Sequence, residues 1–150
     1  MNRLINYEKD LQRRLLRILE IEAVKSVRLN FQRQGRPERW RNKLIPDGRK
    51  ILSGKTGDLF SSISSGVDES RNRVVIKFGV SYAQIHNEGG RIPVTKKMRK
   101  YFWARYYETK KEVWKNMAMN KKGYIEIPKR EFAKLTEEDV QRIVSNIKKI

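Results

Sequence analysis

The sequence contains no cysteine, so neither a disulfide framework nor a thiolate metal site is open to it. It contains one histidine, His86, which leaves no set of imidazoles for zinc. No apolar run approaches ~20 residues, which excludes a membrane-crossing helix. Met1 to Tyr7 lacks the uninterrupted apolar core of a signal peptide. The expectation is a soluble product of a reducing, intracellular setting. Acidic residues are also scarce: 17 Asp and Glu stand against 35 Lys and Arg, a net charge of +18. A field of that sign attracts polyanions or acidic protein surfaces.

The charge is present in two blocks. Residues 1–52 carry 14 basic and 6 acidic residues, and residues 95–130 carry 12 and 3, for nets of +8 and +9. Residues 53–94 net +1 and residues 131–150 net zero. A chain of 150 residues fits one domain, 1–150, able to bury a core.

Residues 3–34 hold no Gly or Pro and read as one long helix. Leu4, Tyr7, Leu11, Leu15 and Ile18 make one apolar stripe, and Leu16, Leu19, Ala23 and Val27 a second beside it. Arg13, Arg14, Arg17 and Arg28 lie opposite, on a solvated face. Gly35 and Pro37 end the helix. Residues 35–55 read as loop, anchored to the core by Trp40 and Leu44, with a short helical turn from Thr56 to Phe60. The period then becomes two: Ile63, Ser65 and Val67, then Val74, Ile76, Phe78 and Val80, flank the polar turn Asp68–Asn72. This predicts an antiparallel hairpin with one buried face.

Ser81 and Gln84 have capping-box spacing, which predicts a two-turn helix over 82–88, stopped by Gly89-Gly90 in a left-handed turn. Tyr82 and Ile85 would hold it to the sheet. A basic, aromatic helical segment is predicted over 95–122, then a short strand through Tyr124, Ile125 and Ile127. Thr136 followed by Glu137, Glu138 and Asp139 marks the N-terminus of a last helix, lined by Val140, Ile143, Ile147 and Ile150.

Candidate chemistry is sparse. Gly54-Lys55-Thr56 resembles the end of a phosphate-binding loop, but Arg49 stands where the first glycine belongs and no buried strand precedes it. His86 as an acid–base group needs a carboxylate partner, and Glu88, two residues on, lies on another helix face; a packing histidine is the expectation. Capping accounts for the acids at 137–139 without a metal, and no cofactor is expected. Between Lys96 and Lys115, six aromatics fall within 14 residues. Aromatics interleaved with bases suit a single-strand stacking platform. They also suit a subunit interface, since one helix face of a small domain cannot easily bury so many. The interface candidates are Arg99, Tyr101, Trp103, Arg105, Tyr107 and Trp114.

The order Trp40, Thr56-Gly57-Asp58-Leu59, Tyr82-Ala83-Gln84-Ile85-His86-Asn87-Glu88-Gly89-Gly90, then Pro128-Lys129-Arg130-Glu131-Phe132 resembles the phage virion morphogenesis family, the tail-completion proteins of Mu-like phages and prophages. The likeness spans about residues 40–145. Two positions depart from the pattern: Glu131 stands where proline is more common, and Glu88 where an aromatic is. The resemblance implies an α+β fold, with a long N-terminal helix packed on a small antiparallel sheet, and a non-catalytic part of the virion tail or neck, assembled in the host cytoplasm. Trp40, Thr56, Gly57, Leu59, Tyr82, Ala83, His86, Gly89, Gly90, Pro128, Arg130 and Phe132 are then structural signature residues. Its implied partners are further copies of itself in a ring, with a hexamer as the candidate size, tail-tube and head–neck proteins, and packaged DNA in transit. The other reading, from charge and aromatics alone, is a basic nucleic-acid-binding domain.

Overall fold

The computed structural model describes residues 2–150, with side chains from Leu4 onward. The order is α1 (Asn2–Arg33), α2 (Asp58–Ser61), β1 (Ile63–Asp68), β2 (Arg73–Phe78), α3 (Ala83–Glu88), β3 (Gly90–Pro93), α4 (Lys96–Thr109), α5 (Glu112–Ala118), β4 (Tyr124–Ile127) and α6 (Glu137–Ile147). The fold is α+β, as the sequence implied.

Helix α1 is the spine. It packs on the β1–β2 hairpin on one side and on α6 on the other. Leu16, Ala23 and Val27 of the second stripe are buried and Leu19 is half-buried, and Phe31 extends that buried face by one turn. The first stripe is overturned in its opening turns: Leu4 and Tyr7 are exposed, because no described element lies beneath that end. A polar stripe, Glu22, Ser26 and Asn30, is buried four residues apart and faces α6.

The hairpin pairs as the alternation requires, with Ile63 opposite Phe78, Ser65 opposite Ile76 and Val67 opposite Val74. Its core face meets Phe31, Trp40, Ile51, Leu59, Ala83 and Phe132. Phe31 packs edge-on against Trp40 and Phe60, with centroids at 5.6 and 5.7 Å, and Phe132 lies 5.0 Å from Phe31 and 4.9 Å from Phe78. Trp40 anchors the loop as expected. Leu44 does not: it is 68 % exposed.

A second ribbon, absent from the sequence reading, pairs β3 with β4: Gly90 faces Ile127 and Pro93 faces Tyr124. Between its strands the 95–122 segment is a hairpin of two helices, because Lys110 takes φ 56° and turns the chain. Thr95 caps α4 by accepting the Met98 N–H at 3.2 Å. Helices α4 and α5 pack chiefly on each other and form an arm carried by the ribbon.

Two further expectations are corrected. Ser81 does not cap α3: the chain leaves β2 in a turn, Ala83 N–H donating to Val80 O at 3.2 Å, and no side chain caps the helix. On α6, Thr136 and Asp139 form a capping box. Only Ile143 of the four apolar positions is fully buried, while Val140 and Ile150 are exposed, because the inner face of α6 is given to polar groups. Among the described residues no helix is long and apolar enough to cross a membrane.

Candidate functional site

Two features of the fold bear on function: a clamp that joins the signature segments, and the arm that grows from it.

The clamp is built almost entirely on main chain. His86 O accepts the Arg130 N–H at 2.9 Å, and Asn87 Oδ1 accepts the N–H groups of Phe132 and Ala133 at 3.0 Å each. Gly89 has φ 77° and ψ 173°, a region essentially closed to other residues, so it is not the left-handed stop expected. A Cβ there would lie 2.9 Å from Lys129 N and 3.2 Å from Ile127 O. The glycine permits the close approach of two backbones. At the end of the same run, Phe132 is 1 % exposed and fills the centre of the core.

The signature residues thus separate by role. Trp40, Leu59, Ala83 and Phe132 meet in the core. Gly89, Gly90, His86, Pro128 and Arg130 meet at the clamp. Thr56 is exposed, and Gly57, at φ 73°, turns the chain into α2 without a side-chain cap. Tyr82 is exposed and packs edge-on against His86 at 5.9 Å; Ala83, not Tyr82, is the buried anchor of α3.

His86 is half-buried, and its Nδ1 has no hydrogen-bond partner among the described residues. Burial first, and the Arg130 cation second, push its pKa below the usual value. The fold therefore favours the neutral imidazole. Arg130, also buried, donates through Nε and Nη2 to Arg41 O and Asn42 O at 3.2–3.4 Å, which fastens the loop after α1 to the clamp. Burial, then Arg41, lowers its pKa.

The largest polar constellation is one that sequence reasoning missed. Arg36 donates Nη2 to Asp139 Oδ2 at 2.7 Å, Nη1 to Oδ1 at 3.1 Å, and Nε to Asn30 Oδ1 at 2.9 Å. Asn30 in turn donates to Phe132 O and Lys134 O, both at 2.9 Å. Arg142 adds contacts to Asp139, to Glu22 at 2.6 Å and to Ser26 Oγ at 2.9 Å. Burial alone would raise the Asp139 pKa. Hydrogen bonds from Arg36 and from the Thr136 backbone outweigh it and hold the carboxyl far below its usual range. This network ties α1 to α6.

On the arm, the interface candidates divide. Arg99 turns inward and caps α5, donating to Ala118 O at 2.6 Å and Asn120 O at 2.9 Å. Arg105 pairs with Glu108 and lies over Trp114 at 5.6 Å. Trp114 itself packs against Tyr101 and Phe102. Trp103 stacks on Tyr107 at 6.1 Å, and Lys110 covers the faces of Tyr106 and Tyr107. The aromatics left facing solvent are Tyr101 and Tyr107, with Met119 exposed near the arm's base. Lys96, Lys97, Lys100, Lys110, Lys111, Lys121 and Lys122 are exposed and form no ion pair among the described residues.

A family model described as the phage virion morphogenesis family matches residues 1–150. No curated protein matches the chain, and no solved structure does.

Proposed function

Given that this chain belongs to the phage virion morphogenesis family, and so serves phage assembly, we propose that it completes the tail and joins it to the head. It works without catalysis, as a ring-like homo-oligomer in the tail or neck, with six copies as the candidate number. The observation that carries this reading is the arm: a basic helix pair held away from the body on a two-stranded stalk, with Tyr101 and Tyr107 uncovered. An element that buries its own inner aromatics and leaves outer ones exposed is suited to a protein contact. Neighbouring copies or tail-tube proteins are the partners it fits, and its unpaired lysines would face DNA wherever the arm borders the lumen.

The test is a phage carrying a nonsense mutation in this gene, imaged in a lysate. Separate full heads and unfinished tails are the expected result. Normal infectious particles would sink the idea. Solution mass at low and high salt then tests the ring.

A further inference from the structure

Among the described residues two guanidinium groups are buried, and one of them has a counter-ion. Arg36 meets the Asp139 carboxylate at 2.7 Å. Arg130, 7 % exposed, meets only the carbonyl oxygens of Arg41 and Asn42, and its Nη1 has no acceptor among the described residues. A buried charge without an opposite charge is costly, and Arg41 beside it adds repulsion.

Arg130 lies between two cavities. The smaller, about 440 Å³, reaches His86. The larger, about 640 Å³, opens between residues 41–45 and the β3–β4 ribbon. Four cations line it, but Lys43 is paired with Asp47 at 2.7 Å and Arg91 with Glu126 at 3.5 Å. Arg41, like Arg130, has no carboxylate partner among the described residues. The remaining wall is largely apolar, from Leu44, Ile45, Ile125 and Ile127. Leu44, the loop residue that failed to enter the core, stands exposed at its rim.

We propose that this cavity is a receptor for an extended acidic and apolar polypeptide segment of a partner protein, one of whose carboxylates pairs with Arg130 and Arg41. A planar guanidinium is the matching group for a carboxylate. A duplex backbone is met by cations standing on the surface; Arg130 lies beneath it, within reach of a side chain. Apolar residues alternating with the acids would cover Leu44 and Ile45. That the partner is another virion protein rests on the assembly reading above; the binding itself does not.

The probe is a fluorescein-labelled peptide carrying Glu-Leu-Asp-Leu between Ser-Gly flanks, with a Gln-Leu-Asn-Leu control, followed by anisotropy on the whole chain at physiological salt. The acidic peptide should bind and the amide control should not. Arg130→Gln should weaken binding about 30-fold or more, the cost of removing one partner of a buried charge pair. Arg41→Glu, at an exposed side chain, should weaken it about tenfold or more by like-charge repulsion. The ring resonances of His86, the chain's single imidazole, should shift with peptide in the native chain, and in Arg41→Glu only at correspondingly higher peptide concentration. If Arg130→Gln fails to fold, Arg41→Glu decides. No binding at about 1 mM peptide, equal binding of the control, or Arg130-dependent binding of a duplex oligonucleotide in place of the peptide overturns the proposal. Each of these results leaves the tail-completion reading standing, since particle morphology in the mutant lysate decides that separately.

Discussion

The side-chain carbonyl of Asn87 accepts the backbone N–H groups of both Phe132 and Ala133, each at 3.0 Å. One oxygen therefore fixes the run that carries Phe132 into the core. Asn87→Ala should cost about 1–3 kcal/mol in urea denaturation, because the half-buried Phe132 N–H loses its acceptor. Asn87→Asp keeps an acceptor and should retain most of the stability. Equal loss in both variants would remove the bond from the account.

Gly89 and Gly90 should respond unequally. At Gly89 an alanine meets backbone and a φ of 77°, so Gly89→Ala should cost about 3 kcal/mol. At Gly90 the added Cβ meets only the Ile85 side chain, at 3.1 Å, which can shift. Gly90→Ala should stay within about 1 kcal/mol, since surface-side changes of this kind are small. Thermal or urea unfolding of the two variants checks the order.

Breaking the Arg36–Asp139 pair should be among the most damaging single changes. Arg36→Met and Asp139→Asn should each cost about 3–5 kcal/mol, the expected loss when one buried partner is removed. The double variant should cost less than the sum, because both singles lose the same contact. Asp139 has a folded pKa depressed below its usual 3.8. Its contribution is complete above that value and is lost as acid takes the pH down through the folded value. Acid unfolding of Asp139→Asn should lack that component.

His86 gives a separate signature at milder pH. Its folded pKa lies below the usual 6.5, so the unfolded chain takes the proton first. Stability from the neutral ring is complete above 6.5 and declines as the pH falls through the folded value. Urea midpoints at about pH 7.5 and about pH 5 should show the decline in the native chain. In His86→Phe it should vanish. A flat profile in the native chain would contradict the geometry.

The arm should be separable from the body. Replacing residues 95–122 by a tight turn that joins β3 to β4 should leave the urea midpoint close to that of the whole chain, since α4 and α5 pack chiefly on each other. The denaturant slope should fall in proportion to the surface removed. A collapse of the midpoint would show that the arm is part of the core.

Elements with a strong local period were legible in the sequence: α1, the β1–β2 hairpin, the start of α4 and the Thr136 cap. What escaped depended on distant partners. β3 is a four-residue strand, Gly-Arg-Ile-Pro, with no alternation to read, and its partner β4 begins some thirty residues later. The stripe at Leu4 and Tyr7 shows how periodicity marks an amphipathic face without showing that anything covers it. Asp139 was legible as a capping acid of the last helix, and only the fold brings it to Arg36 across 103 positions. That the two signature segments belong to one ordered pattern was legible in the sequence. That they pack on one another, through an amide and a glycine meeting main chain, was not.

The same separation sets a timetable for synthesis. Asn30 and Arg36 leave the ribosome well before Phe132, Lys134 and Asp139, the groups that complete them. Until then Phe31 lacks the Phe132 ring that closes the core over it, and Arg36 lacks its carboxylate. A chain whose closing contacts are this remote gathers slowly and is open to association meanwhile. Premature release short of Phe132 should yield insoluble fragments, whereas truncation beyond Ile147 should be tolerated.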